Sequence, residues 1–399
     1  MGLYPAVTLL SGLTCLGALF RTSVSGVFFW LLALLALWFV SRATAPLPSA
    51  NGRLWLVALI PIAVNVASVL VFRLEPRAAS WWPLLGLPLI AGLPLRPGEG
   101  VRILIRVAVA GSWTALAIQL LAAMAPEAVA DIVTVNPILF GQVAVWSALV
   151  CAVARPRDGT GLSRAALFAA MLAGLAGAII AGYRGGLLAL PLLLLACLRD
   201  GPPLRRGQAL AAAGFATLVI VIATVASPML ERIGDAFDET VAFTTGAIDF
   251  SSVGTRLALW QLAGELFAAN PLFGVGAGRF DDAMVAIARA GRLPADLEVF
   301  SHAHSSALNL AAEYGIVGVG AVALAVVMLW RHAGWLEPRA GEMVRYGLGC
   351  WLILSLTNDV FAHQSSLRVM TLGLALGCAG AVRRPAPTPH KPGESGWTR

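Results

Sequence analysis

Apolar positions along this chain do not alternate with polar ones at the period of a half-buried helix or strand. They run on, almost unbroken, for the thickness of a bilayer, as in Leu54 to Phe72, Ile103 to Ala125 and Ala307 to Trp330. A hydrocarbon core about 30 Å thick needs about 20 helical residues, and these runs supply them. Twelve such stretches are legible: roughly 3–20, 25–41, 54–72, 81–93, 103–125, 135–154, 165–182, 186–198, 208–226, 306–330, 344–358 and 367–382. The fourth and eighth are short, so each is open to a tilted, kinked or re-entrant reading. The pattern predicts an all-α, polytopic integral membrane protein with about 12 transmembrane helices. Nine helices would fill 1–226, and a long hydrophilic loop with short amphipathic helices 227–303. Three more helices would occupy 304–384, followed by a Pro-rich, disordered tail at 385–399. The opening Met1-Gly2-Leu3-Tyr4-Pro5 lacks a basic segment, so the first span reads as retained.

Charge sets the orientation. Only 12% of the 399 residues are charged, against about 25% in a globular domain. With the N-terminus in the cytoplasm, most of the 28 Lys and Arg fall in inner connections, among them Arg96, Arg102, Arg155, Arg199 and Arg339. The long loop is then on the outer side of the membrane. That loop is acidic, so the net charge of +7 reflects topology and not nucleic-acid binding. The five cysteines lie in or at the ends of spans with no CxxC spacing, which speaks against a disulfide framework or a zinc site.

In the loop, Leu230, Ile233, Phe237 and Val241, and then Leu259, Leu262 and Leu266, recur at helical spacing, and Asp281 is placed to cap a further short helix. Where the loop meets the tenth span the sequence reads Ser301-His302-Ala303-His304-Ser305-Ser306. Steps of four then put Ser305, Asn309 and Glu313 on one helix face. A carboxylate at that depth must face protein or a wet cavity. Gly315, Gly318 and Gly320 are expected to admit a neighbouring helix. Spacing alone leaves two readings of equal standing: a site, or a Glu313 that merely pairs across helices beside interfacial histidines. Arg184 sits in a glycine turn, Gly182-Tyr183-Arg184-Gly185-Gly186, on the outer side. A guanidinium there suits an anion such as a phosphate. Arg256 follows Gly254-Thr255 and suits the same role, or a pairing with Glu231 or Asp249. The run Asn270-Pro271-Leu272-Phe273-Gly274-Val275-Gly276-Ala277-Gly278 follows no strand, so a glycine hinge is preferred to a dinucleotide loop.

These stretches, in this order, resemble the O-antigen ligase and O-antigen polymerase family of bacterial membrane glycosyltransferases. The family pattern of His, then Asn, Ser or Gln, nine residues, Gly, two residues, then Gly, Thr or Tyr is met by His304, Ser305, Gly315 and Gly318. Arg184 in its glycine turn, and Arg256 ahead of the Asn-Pro-x-x-Gly-x-Gly loop, also match. The chain departs at Tyr183, where many members have Ser, and at Ser305, where Asn is more frequent.

The resemblance implies a fold similar to the GT-C-type transferases of lipid-linked sugars. It also implies transfer of a glycan from undecaprenyl diphosphate to a hydroxyl on the periplasmic face, with no metal and no cofactor. The acceptor would be lipid A core in a ligase, or a second lipid-linked glycan in a repeat-unit or exopolysaccharide polymerase. His304 would be the general base, its ordinary pKa of about 6.5 suiting the task, and Arg184 and Arg256 would hold the diphosphate. Glu313, Arg279, His302, Gln364 and Arg368 are secondary candidates. The rival from another class is a transporter or flippase of lipid-linked glycan, which should carry its polar site near the bilayer midplane.

Overall fold

The computed structural model describes residues 3–20, 22–42, 49–75, 80–125, 127, 137–199, 252–289 and 301–381. The ninth span, the helix at 230–241 and the tail lie outside the described residues. Every regular element among the described residues is helical. In chain order the α-helices are α1 (Leu3–Phe20), α2 (Thr22–Ser41), α3 (Ser49–Val71), α4 (Gly86–Ala91), α5 (Glu99–Met124), α6 (Pro137–Val153) and α7 (Arg164–Ile180). They continue with α8 (Leu190–Leu198), α9 (Ser252–Ala269), α10 (Phe280–Arg289), α11 (Ser306–His332), α12 (Pro338–Leu354) and α13 (Gln364–Cys378).

Four of these are long and apolar enough to cross a membrane: within α2 and α3, and over α5 and α11. Helices α1, α6 and α7 are apolar but shorter. Helix α6 is the centre of the bundle. Nearly all its residues are buried, because α1, α5, α7, α8, α12 and α13 surround it. An α-helix hydrophobic all round belongs in such a position. The described cysteines are all free thiols, and four of the five are buried.

Several expected spans take other forms. The fourth is a 3-10 turn, Trp82–Leu85, running into the six-residue α4. At about 1.5 Å per residue such a piece covers only part of the hydrocarbon core. The eighth likewise starts as a 3-10 turn, Arg184–Ala189, before α8. The eleventh begins at Pro338, six residues before the apolar run, because Arg339 and Glu342 are neutralised by partners rather than by water. Arg339 forks onto Asp158 through Nε–Oδ1 (2.8 Å) and Nη2–Oδ2 (2.6 Å), and Nη1 meets Glu342 Oε2 at 2.7 Å. Arg155 and Arg199 close on Glu342 as well. The inner cations of the sequence reading thus gather at one end of the bundle.

The small residues of α11 do not serve a helix-helix seam as expected. Among the described residues nothing lies within 4 Å of where a Gly320 side chain would start, and Gly318 faces Tyr314 of its own helix. Gly315 breaks the helix, with φ 62 and ψ −159. A side chain tolerates that conformation poorly. The break frees backbone groups that a membrane interior cannot hydrate, and the Asn270–Gly278 loop satisfies them. Val275 N–H donates to Ala312 O (2.9 Å) and Gly276 N–H to Glu313 O (2.9 Å). Ile316 N–H donates to Pro271 O (2.8 Å) and Val317 N–H to Leu272 O (3.3 Å). The loop does turn on glycines, since Gly274, Gly276 and Gly278 all have positive φ. Beyond the turn, it is stitched into the broken helix.

Candidate functional site

At the end of the bundle opposite the ion-pair cluster, the segment entering α11 meets the connection between α12 and α13. Ser306 N–H donates to Ser355 O (2.9 Å). The Ser306 hydroxyl lies 3.2 Å from both Asn358 O and Asp359 Oδ1 and accepts from Val360 N–H at 2.9 Å. Asp359 also accepts from Phe361 N–H at 2.9 Å. Ser305 occupies the N-cap position of α11, but its side chain makes no capping bond. Asn309, one turn on, instead accepts from Ala303 N–H at 3.1 Å, which fixes the residue between the two histidines.

That scaffold holds three imidazoles together. His302 Nε2 and His363 Nε2 face each other at 2.9 Å, so one donates and the other accepts. The rings of His302 and His304 lie 4.4 Å apart at 44°, and those of His302 and His363 4.8 Å apart at 87°. His304 is buried and has φ 50, a left-handed backbone uncommon for any residue but glycine. Strain of this kind persists only where surrounding contacts enforce it.

Electrostatics bind the cluster to Arg256. Burial, then the neighbouring His302, Arg256 and His363, push the His304 imidazole down to about 3. Burial and His302 lower His363 to about 4. Burial lowers His302 as well, against the pull of Asp359 and the Asn358 side chain. Asp359 is raised by burial, opposed by His302 and by the N–H groups of Phe361 and Ala362. His304 is therefore a neutral imidazole at ordinary pH. The value of about 6.5 assumed from sequence does not describe it in this setting.

The sequence candidates fall into distinct places. Arg256, on α9, is half-buried and acts on both His304 and Tyr183. Arg184 is described by its backbone, which opens the 3-10 turn beside Tyr183. The Tyr183 ring fills the space left by Gly141, Gly185 and Gly186, with Thr357 and Gln142 against its hydroxyl. The aromatic departure from the family pattern is thus a buried anchor for the arginine turn. Glu313 does not point at the histidines. The N–H groups of Gly278 and Phe280 and the Asn309 side chain hold its carboxyl, so it pins the loop and the start of α10. Asp281 sits in the first turn of α10 and binds the next N–H, that of Asp282, at 2.8 Å. Arg279 is exposed and lies over the Phe72 ring at 6.0 Å. Gln364 donates to Ser80 O. Arg368 is turned onto α2, with Nη1 3.2 Å from Ser25 Oγ. The pairing of Arg256 with Glu231 or Asp249 involves partners outside the described residues.

The sequence reading missed His363, Asn358 and Asp359. Their signal was a cluster of polar residues in a short connection between two apolar runs. Such a connection normally sits in water, whereas here Asn358 and Asp359 are buried.

A search of curated proteins found no match. A family model described as O-antigen ligase matches residues 168–323. The matched segment runs from α7 through Arg184, Arg256 and the stitched loop to His304, Gly315 and Gly318. The match over this segment supports an O-antigen ligase family assignment.

Proposed function

We propose that the protein is a metal-independent, inverting glycosyltransferase that moves a glycan from undecaprenyl diphosphate to a hydroxyl acceptor at the periplasmic face of the inner membrane. The observation that carries this reading is the buried, strained His304 beside Arg256, at the end of the family segment. The acceptor oxygen attacks the anomeric carbon as the bond from that carbon to the diphosphate oxygen breaks. The bonding pair leaves with the diphosphate, and the acceptor proton passes to His304. Arg256 and Arg184 stabilise the charge that collects on the leaving group. An anion placed against Arg256 also cancels one of the charges that hold the His304 imidazole down. Donor binding therefore makes the base stronger at the moment it is needed.

A transporter is less well supported. The histidines lie in connections at one end of the helices, away from mid-span. Lipid A core is the acceptor we favour, with a second lipid-linked glycan the polymerase alternative. The deciding experiment reconstitutes the full chain with an undecaprenyl-diphosphate-linked glycan and offers lipid A core or further donor. Product on lipid A core, lost in His304→Ala at unchanged protein level, is expected. Near wild-type transfer by His304→Ala would overturn the reading.

A further inference from the structure

We infer that His363 is a positioning residue for His304, acting through His302; this rests on the reading of His304 as the base. His304 is held at φ 50, so its ring direction is set by what surrounds it and not by a relaxed chain. The neighbouring ring is that of His302, tilted at 44° with its centroid 4.4 Å away. Such a ring is a useful wall only if it cannot turn, and His302 is fixed at its far edge. Its Nε2 meets Nε2 of His363 at 2.9 Å, while Asn358 and the Asp359 carboxyl face the same imidazole. Asp359 is itself held by Ser306 and by Phe361 N–H.

The contact also couples the two tautomers. With two Nε2 atoms facing each other, one ring must present N–H and the other a lone pair. Flipping either ring would break this part-buried hydrogen bond. Among the described residues, the charged and titratable groups facing the chain of rings are Asp359 on the side of His302 and Arg256 on the side of His304. A cation on either outer ring would repel Arg256 and disfavour proton uptake by His304. The bond between His302 and His363 therefore ties the last helical hairpin to the base, across 61 residues of sequence.

The test uses reconstituted full-length protein, an undecaprenyl-diphosphate-linked glycan as donor and lipid A core as acceptor. The variants are His363→Ala, His363→Gln, His302→Ala and the double Ala variant, with His304→Ala alongside. Loss of the outer hydrogen-bond partner of a metal-bound imidazole costs about 10–100-fold in other sites. His363→Ala is expected to lose kcat by about that factor, with donor KM shifted by less than about threefold. His363→Gln places an amide where Nε2 stood and should recover most of the loss. The double variant should be no worse than His302→Ala alone, because residues acting as one unit do not add. Wild-type kcat in His363→Ala, additive losses in the double variant, or Gln no better than Ala with KM rising in step would each overturn the inference. Activity surviving in His304→Ala would instead remove the reading on which it rests.

Discussion

Gly276 donates its backbone N–H to the carbonyl of Glu313 at 2.9 Å, across the break that Gly315 makes in α11. The loop and the helix thus share backbone hydrogen bonds, and the carboxyl of the same Glu313 holds the N–H groups of Gly278 and Phe280. The two halves of the family segment, one carrying Arg256 and one carrying His304, are joined at this seam.

Replacing Gly315 with Ala should therefore be costly. A Cβ at φ 62 is strained by on the order of 1–3 kcal/mol, and it would also strike the backbone of Leu272 and Phe273. Gly320→Ala, with open space around it, should be neutral or slightly stabilising through helix propensity. Thermal unfolding of both variants in detergent checks this. Equal stability would show that the break is not needed.

The sequence made the helical, membrane-spanning class legible because spanning runs of apolar residues have few other uses. It also singled out His304, Arg184 and Arg256 as candidates through motif order. It did not reveal that Glu313 is a loop pin, since i,i+4 spacing gives a helix face and not what lies opposite. Nor did it expose His363, whose partner is 61 residues away and whose neighbours look like an ordinary polar turn. The early start of α12 was hidden because hydropathy cannot see that Arg339 and Glu342 are paired.

At the other end of the bundle, Arg339→Ala would strip Asp158 of a two-bond fork and the buried Glu342 of one of its partners. Leaving a buried charge without its partner costs about 3–5 kcal/mol in other proteins. The expected result is a large drop in thermal stability in detergent, with transfer activity per folded molecule unchanged. Unaltered stability would mean that water replaces the guanidinium.

Orientation is testable with thiols once the five native cysteines are replaced. Asp282 is exposed on α10, and Arg164 is exposed at the start of α7, an inner connection by the charge pattern. Asp282→Cys should react with an impermeant reagent added from outside, and Arg164→Cys only after lysis. The reverse labelling would put the histidines on the cytoplasmic side.

The pH profile should carry the mark of burial. Transfer needs His304 neutral, so rate is lost as pH falls through its pKa. In the free protein that value is held at about 3, which places the acid limb of kcat/KM for donor far below 6.5. With donor bound, Arg256 is offset and the limb of kcat should lie higher. Arg256→Gln should raise the limb of kcat/KM, since a like charge beside the imidazole is gone. A limb at 6.5 in every case would mean that these neighbours do not act on the base.

The last prediction separates a diphosphate ligand from a structural arginine. Arg256 lies close enough to His304 to act on it electrostatically, yet it sits on α9, outside the histidine cluster itself. If it stabilises charge on the departing diphosphate, Lys keeps the charge but not the forked geometry. Losing one such donor costs about 10²–10³ in rate elsewhere, so Arg256→Lys should retain folding and lose most transfer. Affinity for lipid A core should hold, because the acceptor carries no diphosphate. The same reconstituted assay run in excess EDTA should leave wild-type transfer intact if protein cations alone meet the leaving group. Inhibition by EDTA reversed by magnesium would assign part of that role to a metal ion. Normal transfer by Arg256→Lys would leave Arg256 as a structural neighbour of His304 and turn attention to Arg184.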